Sequence, residues 1–392
     1  MTAPRTPGFA LRIDARDGHA RTGVLTTPHA EVPLPTFMPV GTQGSVKTLT
    51  PGEVASTGAR IVLGNTYHLW LRPGPAAIRA LGGLHGFTRW PHAMLTDSGG
   101  FQAFSLSTGR TGKGSVVKPS LVTPSEDGFT FRSHLDGTRM HLSPEEAVRI
   151  QGEIGADIQM QLDVCAPGAS EEATLEAAVA QTTRWARRAL AAPRPPGQAL
   201  FGIVQGGTSV RLRVSHAEEL AGLDPGFDGL ALGGFSVGEP IPKMYETLAE
   251  VAHTLDPERP RYLMGVGTPQ DLLEAILHGV DMFDCALPTR NARNGMAFTR
   301  KGKVVIKQAR YKDDPLPIDP DCACAACAGG YSRAYLRHLY IAGEILVLRL
   351  MSLHNLHLYG ELVLGARAAI LRGEYAAFRA EWLSGMQPAT RN

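Results

Sequence analysis

Asp284 has the surroundings of a reacting group. It ends a short apolar stretch, Asp281–Asp284, which is predicted to be a strand, and the chain then turns at Pro288. A lone carboxylate on an apolar strand is costly to bury unless it is paired or used. From Cys285 to Lys312 the chain carries eight basic residues and no acidic one. This combination favours a nucleophile or base that acts on a phosphate-bearing polymer, although the basic residues could simply be the solvated face of a hairpin.

The ends of the other predicted strands carry polar side chains and glycines. Because ligands in parallel α/β proteins collect at the carboxyl ends of strands, these residues are expected to share one pocket. They are Asn65, Asp97, Ser98, Gly99, Gly100, Asp163, Gln205, Gly234 and Gly265–Gly267. Carboxylates accept hydrogen bonds from an N–H and NH2 pair, and amides donate to carbonyl oxygens, so the set could match the edge of a purine-like base. Phe101 and Met264 could clamp the two faces of such a ring.

Each member of this set also has a purely structural interpretation. Asp97 could cap the helix that follows it, and Gln205 could belong to a turn. Phe101 and Met264 could be core residues, which is the commoner fate of such side chains. The set as a whole therefore indicates a base-binding site more strongly than any single residue does.

Three cysteines within six residues predict a metal site. Cys322, Cys324 and Cys327 precede a helical stretch that contains His354 and His357. Three thiolates and one imidazole form a closed tetrahedral set, so the site is predicted to hold a structural zinc ion. The spacing alone leaves open which histidine is the fourth ligand.

Apolar strands alternate with helical patterns along most of the chain, which predicts an α/β fold with a (β/α)8 TIM barrel. An open doubly wound sheet is the alternative. Helices are expected to begin at Thr50, Ser143 and Thr268, and a long one to span Ser170–Ala192. The predicted strands are Thr36–Val40, Ile61–Asn65, Ala93–Thr96, Asp157–Leu162, Ala199–Val204, Gly229–Gly233, Arg261–Gly265 and Asp281–Asp284.

Other segments surround this predicted barrel. An antiparallel hairpin around Asp14–Gly18 is expected to plug one end of it. Residues 1–290 should form the catalytic barrel, with an insertion at about 104–141 that contains a further hairpin. Residues 291–392 should form a zinc-binding subdomain together with terminal helices packed on the barrel.

Composition fits a folded protein with a sizeable core. The 392 residues are 43% hydrophobic and 19% charged, and the net charge is +2, which excludes a globally basic nucleic-acid binder. No apolar run is long enough to span a membrane, and residues 1–7 lack a signal-peptide core, so a cytoplasmic protein is expected. Cys165 and Cys285, both on predicted strands, are interpreted as small buried residues.

Taken together, these motifs resemble those of the tRNA-guanine transglycosylase family, also called queuine tRNA-ribosyltransferases, of the bacterial type. The resemblance runs from residue 41 to residue 354. The motifs on which it rests are Leu63–Leu69, Asp97–Gln102, Val204–Gly207, Leu232–Gly234, Val237–Glu239, Tyr262–Gly267, Phe283–Cys285, Pro288–Arg290 and the Cys-x-Cys-x-x-Cys segment.

The resemblance implies a barrel with a zinc subdomain, usually a homodimer. Such enzymes exchange guanine at the wobble position (34) of tRNAs with a GUN anticodon, those for Asp, Asn, His and Tyr, for a 7-deazaguanine, as part of queuosine biosynthesis. Asp284 is then the nucleophile that attacks ribose C1′, and Asp97 is the general acid/base. The residues implied to bind the base are Asp97, Ser98, Gly99, Gly100, Phe101, Asp163, Gln205, Gly234 and Met264.

The resemblance also implies two further sets of residues. The implied RNA contacts are Gly265, Val266, Gly267, Thr268, Pro269, Gln270, Asp271, Thr289, Arg290, Asn291, Ala292 and Arg293. The implied zinc ligands are Cys322, Cys324, Cys327 and His354.

The chain departs from the family pattern beside the base pocket. Val164 follows Asp163 where many relatives carry Glu, so an adjacent pocket contact is expected to be missing. Cys165 and Val237 favour the small aminomethyl base, preQ1, over the bulkier queuine, which remains the alternative. Two rival functions are a zinc hydrolase, which would need metal ligands at the strand ends, and a non-catalytic RNA-binding homologue, which should lack the nucleophile.

Overall fold

The computed structural model describes residues 6–100, 122–167 and 170–386. Its strands are Ala10–Asp17 (β1), Ala20–Thr26 (β2), Glu31–Leu34 (β3), Thr36–Gly41 (β4), Ile61–Gly64 (β5), Ala93–Thr96 (β6), Val122–Pro124 (β7), Phe129–Arg132 (β8), Arg139–Leu142 (β9), Ile158–Met160 (β10), Ala199–Val204 (β11), Gly229–Leu232 (β12), Arg261–Leu263 (β13), Met282–Cys285 (β14), Met296–Thr299 (β15) and Gly302–Val305 (β16).

The α-helices in the same ranges connect and cover these strands. They are Pro51–Ser56 (α1), Thr66–Leu71 (α2), Pro75–Ala80 (α3), Gly83–Thr88 (α4), Pro144–Ile154 (α5), Glu172–Ala191 (α6), Val210–Ala221 (α7), Ile241–Val251 (α8), Pro269–Leu277 (α9), Leu287–Arg293 (α10), Ala325–Ala328 (α11), Arg333–Ala342 (α12), Ile345–Arg372 (α13) and Tyr375–Met386 (α14). Short 3-10 turns span Ala252–Thr254 and Ala309–Tyr311.

Eight parallel strands close into a barrel in the order β10, β11, β12, β13, β14, β4, β5 and β6, and β6 pairs with β10. The predicted (β/α)8 barrel is therefore confirmed, and the open sheet is excluded. All six residues of β11 are buried, as expected for parallel strands that are covered on both faces.

Four predicted strands run one or two residues past their observed ends, at Gly64, Met160, Leu232 and Leu263. The fourth barrel strand ends at Met160, so Asp163 and Cys165 lie in the loop beyond it. Cys165 is buried as expected, but its predicted position on a strand is wrong. The apolar run continues past the last residue that pairs with β11, and burial alone cannot distinguish a strand from a buried loop.

Three helices begin at the predicted capping residues Thr50, Ser143 and Thr268. Thr50 and Thr268 each form a capping box, with Glu53 and Asp271 as the respective third helical residues. Ser143 accepts a hydrogen bond from the Glu146 amide at the start of α5. These residues cap helices in the connections that follow the first, third and seventh strands of the barrel.

The amino-terminal sheet closes the base of the barrel. The predicted hairpin is the pair β1 and β2, and β3 adds a third strand. Phe9 packs edge-on against Phe201 of the barrel interior at 5.9 Å. Arg21 and Asp281, both fully buried, form a two-pronged ion pair with Nε to Oδ1 at 2.8 Å and Nη2 to Oδ2 at 2.5 Å. The start of β14 is thereby fixed to the amino-terminal sheet.

Strands β7, β8 and β9 form an antiparallel sheet, which confirms the predicted hairpin within the insertion. The Trp185 indole donates to the Glu126 carbonyl over 2.7 Å and so fixes this sheet to α6. The glycine-rich part of the insertion, residues 109–114, lies outside the described residues.

The carboxyl-terminal part surrounds a separate apolar cluster. Strands β15 and β16 form the predicted basic hairpin, which packs with α12 and the first turns of α13. The rest of α13 and α14 pack on the barrel core, so one long helix connects both parts. Across the ranges given above, no helix combines the length and apolarity that crossing a bilayer requires.

Candidate active site and metal centre

A cavity of about 620 Å³ lies at the carboxyl ends of the barrel strands. It brings together most of the predicted site residues, although they come from distant parts of the chain. Those that line it are Asp97, Ser98, Gly99, Asp163, Gln205, Gly234, Met264, Gly265, Gly267, Asp271, Asp284 and Arg290. Phe101 lies outside the described residues.

Asp284 is buried at the end of β14, and both of its hydrogen-bond donors act on one oxygen. The Tyr262 hydroxyl and the Gly265 amide each donate to Oδ1 over 2.6 Å. No other donor in the described part of the chain reaches the carboxylate, so Oδ2 is left to the cavity. Burial raises the pKa of Asp284, and the two hydrogen bonds oppose that rise. The geometry suits a carboxylate with one oxygen held and the other available for attack.

Asp97 lies across the same cavity. Its Oδ1 accepts from the backbone amides of Thr66 and Gly99 over 2.9 and 3.2 Å, and its Oδ2 accepts from Asn65 over 2.5 Å. Burial raises the pKa of Asp97 to about 7; the charge of Asp284 also raises it, while the donors lower it. A carboxyl group with this pKa can give or take a proton near neutral pH. Two of its donors come from the end of another strand, so Asp97 does more than cap the helix that follows.

Asp163 and Gln205 form a polar pair on another wall. Gln205 Nε2 donates to Asp163 Oδ2 over 2.6 Å, and both side chains are buried. Burial raises the pKa of Asp163 to about 6, against the opposing effect of Gln205. A Cβ atom on Gly234 would lie 2.4 Å from Gln205 Oε1, and the φ of Gly234 is +68°. Only glycine therefore fits beside Gln205.

Ser98 and Gly99, after β6, and Met264, after β13, also line the cavity. Ser98 is buried, and its Oγ accepts from the Gly100 amide over 3.3 Å. Gly100 packs so closely on Leu162 that a Cβ would lie 2.9 Å from Cδ1. Met264 is half-buried at the cavity wall and packs partly against the barrel interior. Val164 packs with Leu175, Ala178 and Leu212 in a small apolar cluster.

The predicted metal centre forms one buried cluster. The ligand atoms of Cys322, Cys324, Cys327 and His354 all lie within 4.8 Å of one another. His354 Nδ1 is 3.5 and 3.3 Å from the sulfur atoms of Cys324 and Cys327, while its Nε2 lies 2.7 Å from the Phe298 carbonyl. Donation from Nε2 leaves Nδ1 free to bind a cation. His357, the alternative fourth ligand, instead lies 3.4 Å from Glu361. The buried Cys3His cluster is thus capable of binding a metal ion.

Comparison with known proteins identifies the family. The family model described as "Queuine tRNA-ribosyltransferase" matches residues 16–388. A queuine tRNA-ribosyltransferase of Sorangium cellulosum (strain So ce56) is 69% identical over 97% of this chain and 92% of its own length. Those of Solidesulfovibrio magneticus and Pelotomaculum thermopropionicum are 51% and 50% identical, and each comparison covers 97% of this chain and 98% of the relative.

The chain belongs to the queuine tRNA-ribosyltransferase family. The resemblance inferred from the motifs is confirmed, and with it the predicted enzyme class, a transferase of the tRNA-guanine transglycosylase type.

The residues predicted to contact RNA differ in exposure. Those that are exposed or partly exposed are Gly265, Thr268, Gln270, Arg290, Asn291 and Arg293. Those that are buried are Val266, Gly267, Pro269, Asp271, Thr289 and Ala292. Asp271 accepts from the Thr268 amide over 2.6 Å and from the Tyr245 hydroxyl over 2.6 Å, so its carboxylate shapes the segment.

Acidic residues elsewhere in the chain pair with only some of the eight basic residues between Arg290 and Lys312. Arg300 pairs with Glu361 at 3.5 Å, and Lys301 pairs with Asp321 at 2.8 Å. The remaining six residues form no ion pair within the described ranges: Arg290, Arg293, Lys303, Lys307, Arg310 and Lys312. These cationic groups are available to a polyanion.

Sequence reasoning missed several residues that position the site. Tyr262 was noted only as part of a motif, and Asn65 only as part of a strand end. Arg213 is fully buried, donates to the carbonyls of Gly207, Val204 and Gly233, and lies 3.7 Å above the ring of Phe235. It thereby ties the loops after β11 and β12 together.

Proposed function

We propose that this protein exchanges guanine at the wobble position of GUN-anticodon tRNAs for a 7-deazaguanine, through a covalent ribosyl-aspartate intermediate. The main support is the arrangement of Asp284 and Asp97. One holds a free carboxylate oxygen toward the cavity, and the other faces it with a pKa of about 7. This is the pairing of nucleophile and acid/base that double displacement at an anomeric carbon requires.

In the first step, Asp284 Oδ2 attacks ribose C1′ and the bond from C1′ to guanine N9 breaks, while protonated Asp97 gives its proton to N9 of the leaving guanine. In the second, N9 of the incoming base attacks C1′ and the bond to Asp284 breaks. Asp97 accepts the N9 proton of the incoming base. Two inversions retain the configuration at C1′. The target nucleotide must leave the base stack to reach the cavity.

The polar pair Asp163 and Gln205 supports recognition of a guanine-like edge. The Asp163 carboxylate can accept from the N1–H and exocyclic NH2 groups, and the Gln205 amide can donate to the carbonyl oxygen. Ser98, Gly99, Gly100, Phe101 and Met264 complete this proposed base site. Gly234 contributes a backbone amide at a position where a side chain would displace Gln205.

The proposed tRNA surface begins with Arg290 and Arg293 on one face of α10. Arg290 lines the cavity, so it lies where the phosphates that flank an extruded nucleotide would pass. We assign residues 1–290 to the catalytic barrel and residues 291–392 to the subdomain that positions the anticodon arm. Phosphate contacts of this kind fix register rather than sequence.

We propose that the Cys3His cluster holds one structural zinc ion. Three thiolates and an imidazole suit Zn²⁺ and leave no position for water, so no catalytic step is assigned to the metal. The ion supplies folding energy to a part of the chain with a small core of its own.

We also propose a homodimer. Tyr335, Ile341 and Ile345 are 41%, 62% and 78% exposed along α12 and the start of α13. Large apolar side chains with this exposure are expected to be covered in solution. Light scattering of the wild type and of an Ile345→Asp variant tests this, with a monomeric wild type as the contrary result.

The incoming base is proposed to be preQ1 rather than queuine, because Cys165 and Val237 line the pocket and Val164 follows Asp163 in the chain. Competition between the two bases for labelled guanine in tRNA decides between them. Preferential use of queuine would reverse the assignment.

The decisive experiment is incubation of the protein with radiolabelled guanine and tRNA that carries a GUN anticodon. Label is expected to enter that tRNA and not one whose anticodon lacks the guanine. Tight tRNA binding without incorporation would favour the alternative of a non-catalytic RNA-binding homologue.

A further inference from the structure

Two histidines and an aspartate meet at the opposite end of the barrel from the active site. His29 belongs to the loop between β2 and β3, His85 to α4, and Asp157 directly precedes β10. His29 Nδ1 lies 2.6 Å from Asp157 Oδ1, and His85 Nε2 lies 3.1 Å from Asp157 Oδ2. Three separate segments of the chain therefore direct ligand-type atoms to one point.

The two imidazole rings are arranged as donors to a shared centre. Their centroids are 3.6 Å apart and their planes differ by 14°, so the two nitrogen atoms face the carboxylate side by side. The three ligand atoms lie within 4.8 Å of one another. This is close to the span of roughly 4 Å that metal–ligand bonds of about 2.0–2.2 Å allow around one ion.

His85 supplies an independent observation. Its Nε2 is buried, and its nearest polar neighbour, Asp157 Oδ2 at 3.1 Å, is poorly aligned for a hydrogen bond. Asp157 Oδ2 already accepts from the Met94 amide over 2.8 Å. A buried imidazole nitrogen with only a poorly aligned neighbour, one that already accepts another hydrogen bond, is costly, and a cation placed between the three groups would satisfy it.

We propose that His29, His85 and Asp157 form a second metal site, for a divalent transition-metal ion such as Zn²⁺ or Co²⁺. Two imidazoles and one carboxylate favour these ions over Mg²⁺ and Ca²⁺, which prefer oxygen ligands. The side chain of His29 is 47% exposed, so water completes the coordination sphere.

The role of this site is structural. Asp157 precedes β10, whereas Asp163 lies beyond the other end of that strand and lines the catalytic cavity. A bound ion would join the amino-terminal sheet, α4 and β10, in the part of the barrel where side chains serve stability.

Metal analysis of the full-length protein tests the proposal. After equilibration with buffered low-micromolar zinc, the wild type is expected to hold one equivalent more than His29→Ala or His85→Ala. His19→Ala is the matched control, because His19 and His253 also stack, at 4.3 Å, yet belong to no three-ligand group among the described residues. Equal zinc content in the wild type and His29→Ala, or an equal loss in His19→Ala, would overturn the proposal.

Thermal melting gives a second readout that does not depend on counting ions. Added zinc is expected to raise the Tm of the wild type and His19→Ala by several degrees, and to raise that of His29→Ala less. His29 lies on a half-exposed loop, so its replacement leaves the fold intact even if His85→Ala does not. Identical zinc-dependent shifts in the wild type and His29→Ala would also contradict the site.

Discussion

The Tyr262 hydroxyl and Asp284 Oδ1 are joined by a hydrogen bond of 2.6 Å. Tyr262 points from the neighbouring strand β13 into the barrel, and the Gly265 amide at the end of that strand donates to the same oxygen. The carboxylate is therefore oriented from one side, and its other oxygen, Oδ2, faces the cavity. Pre-orientation of this kind lowers the entropy cost of attack.

Tyr262→Phe is expected to move the acidic limb of the pH–rate profile to higher pH. The hydroxyl lowers the pKa of Asp284, which burial raises, and attack requires the ionised form. A hydrogen bond to a charged group is worth about 1.5–3 kcal/mol, so the limb should move by about 1–2 pH units. Tyr359→Phe, which removes a hydroxyl that donates to the Gly267 carbonyl, is the control. An unmoved limb in Tyr262→Phe would remove Tyr262 from this role.

Asp284→Ala is expected to abolish covalent trapping of RNA. Without the carboxylate no bond to ribose C1′ can form, so denaturing gels should show no protein–RNA adduct. Asp313→Ala, at an exposed position of the carboxyl-terminal part, should form the adduct as the wild type does. An adduct that survives denaturation in Asp284→Ala would show that another residue is the nucleophile.

Asp97→Asn is expected to bind tRNA normally while base exchange falls by about 10²–10⁴-fold, the usual contribution of acid/base catalysis. The amide keeps most of the shape of the side chain but cannot accept the N9 proton. Filter binding and label incorporation, measured on the same preparation, separate the two effects. Undiminished exchange would reject Asp97 as the proton acceptor.

Asp163→Asn is expected to be more stable, relative to the wild type, at pH 8 than at pH 4. Burial raises the pKa of Asp163 to about 6, so this group stabilises the fold below its unfolded pKa near 3.8 and that stability is lost as the pH rises through 6. The variant removes this loss, and each kcal/mol of stability is worth roughly 1 °C in Tm for a chain of this size.

Asp136→Asn is the control for that comparison. Hydrogen bonds from Ser133 and Thr138 lower the pKa of Asp136, so the same replacement there should give no gain at pH 8. Melting curves at both pH values measure the difference. A Tm difference between Asp163→Asn and the wild type that is the same at pH 4 and pH 8 would contradict the linkage.

His354→Ala is expected to release the metal ion of the Cys3His cluster and loosen the hairpin β15–β16. Nδ1 of the His354 ring faces the cysteine sulfur atoms and its Nε2 donates to the Phe298 carbonyl of β15, so the ring would link a bound ion to this hairpin. Limited proteolysis between residues 294 and 345 should accelerate in His354→Ala and after chelation. His357→Ala should keep the metal, and equal loss in both variants would show that the fourth ligand is misassigned.

Local signals made much of this molecule predictable. Apolar runs located all eight barrel strands, and cysteine spacing located the metal centre. The link between Tyr262 and Asp284 was not predictable, because a tyrosine in an apolar strand resembles a core residue until the pairing of β13 with β14 is known. Arg213 was missed because a cation on an amphipathic helix normally faces water, whereas three backbone carbonyls surround this one.

The ion pair between Arg21 and Asp281 makes the amino-terminal sheet part of the catalytic unit. Asp281 and Asp284 belong to one short stretch of backbone, so a rigid grip on the first restrains the second. A shortened protein that starts at β4 would retain Asp97 and Asp284, yet Asp281 would lose the guanidinium group that pairs with both of its oxygens. Deletion of β1–β3 should therefore reduce activity through the loss of support at the base of the barrel, although it removes no group proposed to contact the substrate.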